Sequence, residues 1–373
     1  MKIGFDAKRA FNNGRGLGNY SRETLRILTS LVPENEYHLF TPRIAPSIGF
    51  ECPQNAILHQ PKNKCGKLPQ ALWRTHGIAK EAEQLGLDIY HGLSHELPVG
   101  IEKTHVHTVV TMHDLLFLTH PELYPAFDRM MYRKKYLRSC RVADRIVAVS
   151  EQTKRDLIAL TNVTESKVEV VYQGCRPEFK VPVDDKQKAQ LKAKYGLPEN
   201  YLLNVGAIEP RKNQLLILKA LQAGPIDLPL VIAGQSTDYQ IELQSYIEQN
   251  GLQNQVMLLP DFPRADLPAL YQCASVFVFP SIYEGFGIPV VEALTSGVPV
   301  IAASGSCLEE SGGPDSLYIH PDNEEELAAS LNLVLSDEQK RNKMIAQGCL
   351  YSQRFSDQSI AENLIRIYKH LLS

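Results

Sequence analysis

Short apolar runs alternate along the whole chain with longer segments in which apolar residues recur every three or four positions. The short runs are rich in Val, Ile, Leu and Phe and predict buried strands, whereas the longer segments predict helices. Predicted strands lie at residues 2–6, 37–41, 88–91, 108–111, 145–149, 168–171, 201–205, 228–233, 256–259, 275–279, 298–302 and 317–319. This alternation is typical of parallel sheets covered by helices, which is an α/β fold class.

The apolar period lapses at residues 175–190, a charged stretch (CRPEFKVPVDDKQKAQ) that carries two prolines. Two successive doubly wound, Rossmann-like units are therefore predicted, the first over residues 1–178 and the second over residues 190–356. Ligands of open parallel sheets bind beyond the carboxyl ends of the strands, so candidate functional residues are expected there.

Composition adds little to this picture, because 373 residues with 44% hydrophobic and 22% charged positions are ordinary for a globular protein. The seven cysteines are scattered singly without a C-x-x-C pair, which favours free thiols in a reducing compartment. The N-terminus lacks an apolar signal core, and no run approaches the roughly 18 apolar residues of a spanning helix. A cytoplasmic location is expected.

Charge is divided unevenly between the two halves. Residues 1–180 hold 25 Lys and Arg against 19 Asp and Glu, a balance of +6, and the remainder holds 14 against 23, a balance of −9. Basic residues are densest at residues 127–145, where they alternate with Met and Tyr. Such a helix either contacts anionic lipid at the inner membrane face or presents an ordinary solvated surface. Nucleic acid is a disfavoured partner because the chain is acidic overall and carries no recognition motif.

The most informative segment is residues 280–292, PSIYEGFGIPVVE. A buried strand ends here, Gly285 and Gly287 allow a sharp turn, and a helix is expected to begin at Pro289. The free amides at the start of that helix would face the turn and suit a phosphate or a sugar hydroxyl. Glu284 and Glu292 stand on either side of the turn and can accept hydrogen bonds from a diol such as a ribose.

Residues 284–303, EGFGIPVVEALTSGVPVIAA, resemble the E-x7-E signature of the retaining glycosyltransferases of family 4. That family has the GT-B fold, in which two Rossmann-like domains face each other across a cleft. Four other segments also resemble segments of the family, and they occur in the family's order. GRGLGNYSR (14–22) resembles the glycine loop, and TMHDLLF (111–117) resembles the strand end that bears a histidine. ADRIVAVSEQTKRDL (143–157) resembles the segment that follows, and NVGAIEPRKN (204–213) resembles the loop that binds the donor diphosphate. The resemblance also implies that a last helix, residues 357–373, packs back onto the first unit.

The resemblance implies a donor site for a nucleotide sugar, formed by Gly16, Leu17, Gly18, Gly206, Arg211, Lys212, Glu284, Gly285, Phe286, Gly287, Ile288 and Glu292. Arg211, through its planar guanidinium group, and Lys212, through its ammonium group, would stabilise the negative charge of the departing diphosphate. The catalytic group would be His113, Glu284, Arg211 and Lys212, with His113 near the transferred sugar. Glycines 16 and 18 are expected in a loop before a helix that begins near Asn19.

A second polar cluster, His91, Ser94 and His95 with Glu96, follows the third predicted strand. It is interpreted either as an acceptor-side loop or as a turn whose polar groups are satisfied internally. The chain contains no Asp-x-Asp pair, which argues against a magnesium or manganese site, so neither a metal nor another cofactor is expected. The donor substrate would be GDP-mannose or a UDP-hexose.

The leading hypothesis is a hexosyltransferase that moves mannose from GDP-mannose to a glycan or lipid-linked acceptor in polysaccharide biosynthesis. A UDP-hexose-dependent transferase, a catalytically silent binding protein, and an epimerase or phosphorylase of the same fold remain alternatives. Retention of the anomeric configuration can arise when the acceptor attacks the sugar on the same face from which the diphosphate leaves. It can also arise through a covalent intermediate on an enzyme carboxylate. Same-face attack is favoured, with the leaving phosphate oxygen taking the acceptor's proton.

Overall fold

The structure is a computed structural model that describes residues 1–62 and 67–373, and within these ranges it contains 13 strands and 16 α-helices. The strands are β1 (Lys2–Asp6), β2 (Glu36–Phe40), β3 (Ala56–His59), β4 (Ile89–Gly92), β5 (His107–Met112), β6 (Arg145–Ala148), β7 (Val168–Val170), β8 (Leu202–Val205), β9 (Leu230–Gly234), β10 (Val256–Pro260), β11 (Val276–Phe279), β12 (Val300–Ala303) and β13 (Leu317–Ile319).

The α-helices are α1 (Lys8–Asn12), α2 (Gly16–Leu31), α3 (Lys67–Leu72), α4 (Ile78–Gln84), α5 (Leu116–Thr119), α6 (Ala126–Val142), α7 (Glu151–Thr161), α8 (Asp185–Tyr195), α9 (Gln214–Ala223), α10 (Tyr239–Gln249), α11 (Leu267–Gln272), α12 (Ile288–Thr295), α13 (Leu308–Gly312), α14 (Glu324–Ser336), α15 (Glu338–Ser352) and α16 (Asp357–Leu372). A π-helical turn, Trp73–Gly77, joins α3 to α4. Short 3₁₀ turns include Pro210–Lys212 and Arg264–Asp266.

Two parallel sheets organise these elements. The first has the strand order β3-β2-β1-β4-β5-β6-β7 and the second has the order β10-β9-β8-β11-β12-β13. The order reverses between β1 and β4 in the first sheet and between β8 and β11 in the second. In doubly wound folds a ligand crevice opens at such a reversal, beyond the carboxyl ends of the strands. The predicted fold class of two doubly wound α/β units is confirmed.

All twelve predicted strands are present, each within two residues of the expected ends. Central strands such as β8 and β11 are buried at every position, which explains why they are recognisable as continuous apolar runs. The strand that the sequence analysis missed is β3, at the edge of the first sheet. None of its four residues is fully buried and the Ile57 side chain is 49% exposed, so its sequence carries no clear burial pattern.

The chain divides into two compact units, one comprising Met1–Gln173 and Ser356–Ser373 and the other Gly174–Phe355. Helix α16 belongs to the first unit, where Arg26 pairs with Asp357 at 2.7 Å and the Tyr368 hydroxyl lies 2.6 Å from Nδ1 of His91. Its apolar face is buried in the same unit. The proline-bearing stretch at 175–190 lies at the start of the second unit.

The glycine segment of the first unit differs from the expectation. Helix α2 begins at Gly16 and not near Asn19, so Gly16, Leu17 and Gly18 form its first turn instead of a loop, and α1 fills part of the expected loop. A Cβ atom on Gly18 would lie 1.8 Å from the carbonyl oxygen of Asn13. Glycine is therefore required here because the chain before α2 passes directly against the helix.

Candidate active site

The turn between β11 and α12 has the predicted form of strand, glycine turn and helix. Strand β11 ends at Phe279, and Gly287 caps α12 with a φ of 98° and a ψ of 49°. A Cβ atom at Gly287 would also lie 2.6 Å from Cδ2 of Leu308. Backbone conformation and space both require glycine there. The first turn of α12 consequently begins at the carboxyl end of a central strand, where its amides can face an anion.

Glu284 lies inside this turn and is held by cations. Its Oε1 accepts a hydrogen bond from Lys212 Nζ and another from Ser281 Oγ at 2.6 Å, and Arg211 Nη1 lies 3.0 Å away. Only 12% of the Glu284 side chain is exposed. Burial would raise the pKa of Glu284, but Lys212 and Arg211 lower it to about 2. The group is therefore ionised throughout the physiological range.

Arg211 and Lys212 follow β8 on the 3₁₀ turn Pro210–Lys212. Lys212 is buried and its Nζ lies 5.0 Å above the ring of Phe279, and burial lowers its pKa despite the opposing effect of Glu284. Arg211 donates to the Tyr283 carbonyl at 2.5 Å and to Glu209 Oε1 at 2.6 Å. Two basic and two acidic side chains thus form one cluster.

Glu209 was missed by the sequence analysis. It stands two residues before Arg211, immediately before the 3₁₀ turn, and this proximity was the signal that could have identified it. Burial would lower the pKa of Arg211, but Glu284 and Glu209 raise it. Glu209 therefore orients the guanidinium group of Arg211.

Glu292 lies on α12, on the other side of the glycine turn. The hydroxyl of Tyr271, from α11, donates to its Oε2 at 3.1 Å. Burial raises the pKa of Glu292 to about 7, and Arg176, Tyr271 and Arg264 offset only part of the increase. Tyr271 is a second residue that sequence reasoning missed, since nothing in its own segment marks it. The Glu292 carboxyl is consequently close to half-ionised at neutral pH.

The remaining donor-site candidates of the second unit contribute mainly backbone. Gly206 directly follows β8, and its amide donates to the carbonyl of Ala233 at 3.0 Å. The Phe286 ring is 2% exposed and packs edge-on against Phe355 at 5.3 Å, so only the main chain of this residue is available to a ligand. Gly285 and Ile288 are half-buried residues flanking Phe286 and Gly287 in the turn.

In the first unit, His113 follows the last residue of β5 and is 6% exposed. Its Nε2 lies 3.0 Å from the carbonyl oxygen of Leu93, so Nε2 carries the proton and Nδ1 keeps its lone pair. Burial lowers the pKa of His113 to about 4, although the Leu93 carbonyl opposes the shift. The ring is therefore a neutral hydrogen-bond acceptor at physiological pH. The His113 and Tyr20 rings are nearly perpendicular, with their centroids 4.5 Å apart.

The rings of His91 and His95 are engaged inside the first unit. His91 is fully buried, with Nδ1 2.6 Å from the Tyr368 hydroxyl and Nε2 2.8 Å from Thr111 Oγ1. His95 Nε2 accepts the amide of His113 at 3.0 Å, and its backbone has the unusual φ of 65°. Ser94 is buried beside them. These contacts support the alternative of an internally satisfied turn over direct contact of these three side chains with an acceptor.

The structure brings Arg211, Lys212 and Glu284 together in the second unit, and it sets His113 and the first turn of α2 at carboxyl ends of strands in the first unit. Across residues 1–62 and 67–373, no three His, Cys, Asp or Glu side chains are grouped as a metal site would require. In the same part of the chain no helix combines the length and apolar character needed to cross a bilayer.

Two protein-family sequence models match the chain. The model described as Glycosyltransferase Family 4 covers residues 15–179, and that described as Glycosyl transferases group 1 covers residues 186–350. The O-antigen chain mannosyltransferase B of Escherichia coli is 32% identical over 289 residues, which are 76% of this chain and 74% of that protein. The O-antigen chain mannosyltransferase RfbU of Salmonella typhimurium is 30% identical over 215 residues, 58% of this chain and 57% of that protein.

Solved structures share the fold across nearly the full length. HepE of Anabaena, crystallised with UDP and glucose, has a TM-score of 0.77 at 20% identity and covers 99% of this chain and 100% of its own. The sucrose-phosphate synthase of Thermosynechococcus elongatus has a TM-score of 0.80 at 20% identity, and the match covers 100% of this chain and 99% of that chain. At this identity the likeness shows a common fold, which is GT-B.

Proposed function

The chain belongs to glycosyltransferase family 4, and we propose that it is a retaining hexosyltransferase that moves mannose from GDP-mannose to a glycan or lipid-linked acceptor in polysaccharide biosynthesis. The observation that carries the proposal is the cluster of Lys212, Arg211 and Glu284 beside the glycine turn of α12. Two relatives named as O-antigen mannosyltransferases, at 32% and 30% identity, support mannose as the sugar.

The donor diphosphate would bind to Arg211 and Lys212 and to the amides at the start of α12. Both cations contact Glu284, so the diphosphate must share them with this carboxylate. Charge that develops on the leaving diphosphate is stabilised strongly by cations that are already fixed and mostly buried. Glu292 would accept hydrogen bonds from the ribose hydroxyls.

The transfer itself forms a bond between the acceptor oxygen and the anomeric carbon while the bond from that carbon to the diphosphate breaks. We infer that the acceptor's proton passes to the leaving phosphate oxygen. The low pKa of Glu284 supports this route, because a carboxylate with a pKa of about 2 is a poor proton acceptor. Glu284 would orient sugar hydroxyls, and His113 Nδ1 would accept a hydrogen bond from the transferred sugar. Mass spectrometry that detects a glycosyl adduct on Glu284 would instead establish a covalent intermediate.

The donor base is tested by thermal shift with GDP-mannose, GDP, UDP-glucose and UDP, since a ligand stabilises the folded state according to its affinity. GDP-mannose should give the largest shift. A larger shift with UDP-glucose would favour the UDP-hexose alternative, with which the UDP-bound HepE structure is consistent. Nucleotide release measured on the same samples separates an enzyme from a silent binding protein.

We also propose that α6 contacts anionic membrane lipid, where a lipid-linked acceptor would be found. Its N-terminal half exposes Phe127 and Met130, at 68% and 58%, together with the basic Arg133 and Lys134. Exposed apolar side chains next to cations are the combination that an anionic bilayer surface binds.

A further inference from the structure

The first unit contains a cluster of four charged side chains that the proposed donor site does not use. They are Asp6, Arg74, Glu96 and Lys135. Asp6 is the last residue of β1, Arg74 lies in the π-helical turn, Glu96 follows β4, and Lys135 lies on α6. Four separate elements therefore converge beyond the carboxyl ends of β1 and β4, at the strand-order reversal of the first sheet.

The cluster is ordered from a buried to an exposed end. Arg74 binds Asp6 Oδ2 through Nε at 3.0 Å and Nη2 at 2.5 Å, and the two side chains are only 13% and 5% exposed. Arg74 Nη1 then donates to Glu96 Oε2 at 2.6 Å, and Lys135 Nζ donates to Glu96 Oε1 at 3.2 Å. Glu96 and Lys135 remain 26% and 48% exposed.

The exposed end retains hydrogen-bonding capacity. A carboxylate offers about four lone-pair positions, and among the described residues Glu96 uses one on each oxygen. One acceptor position on each oxygen is therefore left, and Lys135 Nζ, whose ammonium group has further N–H donors, lies 3.2 Å from Oε1. Two adjacent acceptors with a donor beside them match two neighbouring hydroxyls of a sugar ring.

The cluster is also connected to His113. The residue before Glu96 is His95, whose Nε2 accepts the backbone amide of His113 at 3.0 Å. A sugar held by Glu96 would thus lie at the same edge of the first sheet as the histidine expected to contact the transferred sugar.

We propose that Glu96 binds a pair of neighbouring hydroxyls on the acceptor sugar, with Lys135 as the adjoining donor and Arg74 as the residue that positions the carboxylate. This inference rests on the proposed glycosyl transfer and assigns the acceptor-binding group of the first unit to Glu96 in place of His91, Ser94 and His95.

Glu96 acts by binding and not as the base for the acceptor. Burial would raise its pKa, but Arg74 and Lys135 lower the pKa of Glu96 to about 2. An ionised carboxylate of such low basicity accepts hydrogen bonds without removing the proton, which agrees with proton transfer to the leaving phosphate.

The test compares Glu96→Gln with Glu102→Gln, a matched control. Glu102 also pairs with a cation of α6, Arg138, at 2.8 Å and is similarly exposed at 34%. p-Nitrophenyl glycosides of mannose, glucose, galactose and N-acetylglucosamine are assayed as acceptors, and the monodeoxy analogues of the best one are then compared. The wild type and Glu102→Gln should lose about tenfold or more in kcat/KM when one specific hydroxyl is removed.

Glu96→Gln should raise the acceptor KM about tenfold and should no longer distinguish the parent from that deoxy analogue. Its thermal shift with GDP-mannose and its hydrolysis of the donor in water should match the wild type. Retention of the wild-type acceptor KM and deoxy sensitivity in Glu96→Gln would overturn the inference. A wild type that hydrolyses its donor but uses no glycoside acceptor would also overturn it.

If Glu96→Gln does not fold, Lys135→Met serves instead, because Lys135 is the exposed member and its loss leaves the Arg74 pairs intact. It should lose about threefold or more in acceptor kcat/KM, and an unchanged value would overturn the inference. Absence of donor turnover in the wild type, by contrast, would contradict the proposed function as a whole. The two failures are thereby distinguished.

Discussion

Glu284 and Glu292 flank one glycine turn, yet their pKa values move in opposite directions, to about 2 and about 7. Glu284 is buried with two cations in contact, whereas the nearest hydrogen-bond partner of Glu292 is the neutral hydroxyl of Tyr271. When two residues of the same type have different pKa values because their environments differ, they serve different roles in a site. One carboxylate is permanently charged, and the other changes charge in the physiological range.

The first prediction concerns the pH dependence of donor binding. A ribose that donates hydrogen bonds to Glu292 binds the ionised carboxylate best, so affinity should fall as the pH drops through 7. For a pKa of about 7 the affinity weakens roughly tenfold from pH 8 to pH 6. Calorimetry with GDP-mannose checks this. Glu292→Gln should bind more weakly at pH 8 and lose the pH dependence, and a pH-independent wild-type affinity would remove the ribose role.

The second prediction concerns the cations. Arg211→Ala and Lys212→Ala should each reduce the kcat for donor turnover by about 100-fold or more, because each removes a fixed charge from the leaving diphosphate. Lys194→Ala is the control, since Lys194 pairs with Asp266 at an exposed position of the same unit. Turnover unchanged in both site variants, with the fold verified by circular dichroism, would refute the diphosphate assignment.

Among the elements, α6 is unusual because it exposes large apolar side chains next to its basic ones. Phe127 and Met130 are 68% and 58% exposed, while Tyr136 and Cys140 are buried. Basic and apolar residues are interspersed on the exposed surface of its first half. The exposure of Phe127 and Met130 beside basic side chains is the reason why a membrane contact is proposed for α6.

The third prediction tests α6. The wild type should sediment with vesicles of 30% phosphatidylglycerol in phosphatidylcholine and not with pure phosphatidylcholine, and added salt should weaken binding. Phe127→Asp with Met130→Asp should reduce the bound fraction several-fold. Ile241→Asp is the control, because Ile241 is an apolar side chain 74% exposed on α10 of the other unit. Equal binding by the double variant and the control would exclude α6 as the contact.

For the whole molecule, the titrating groups make the two units respond oppositely to acid. In the first unit, burial lowers the pKa of His91 to about 3 and of His113 to about 4, and it also lowers the pKa of His95. Folded histidines with depressed pKa values bind fewer protons than the unfolded chain. The first unit therefore loses stability as the pH falls below about 6.5, by about 1.4 kcal/mol per pH unit for each group. The second unit contains a single histidine, the exposed His320.

The fourth prediction follows from this contrast. The raised pKa of Glu292 gives the second unit stability that is complete below about pH 4.5 and is lost as the pH rises through 7. From pH 8 to pH 5 the first unit should therefore weaken while the second does not. Hydrogen exchange followed by mass spectrometry separates peptides of the two units. Equal loss of protection in both units over this range would contradict the assignment of the buried histidines.

Features decided by the local sequence were predictable. Buried runs such as β8 and β11 become strands in any context that covers both faces, and the turn before α12 requires glycine at position 287, where φ is 98°. The E-x7-E spacing sets both glutamates on either side of that turn. The twelve predicted strands, the doubly wound units and the candidate donor segment therefore followed from the sequence alone.

Which charged side chains meet depends on the three-dimensional fold. Lys212 and Glu284 are 72 residues apart and come together because β8 pairs with β11. Arg74 and Glu96 meet because the π-helical turn that carries Arg74 lies against Asp6 at the end of β1, and β1 pairs with β4, the strand before Glu96. Burial then determined that Glu292 titrates near neutrality and that His91 is an internal residue. Charge pairing and desolvation depend on what surrounds a side chain in space, and the neighbouring letters of the sequence do not specify those surroundings.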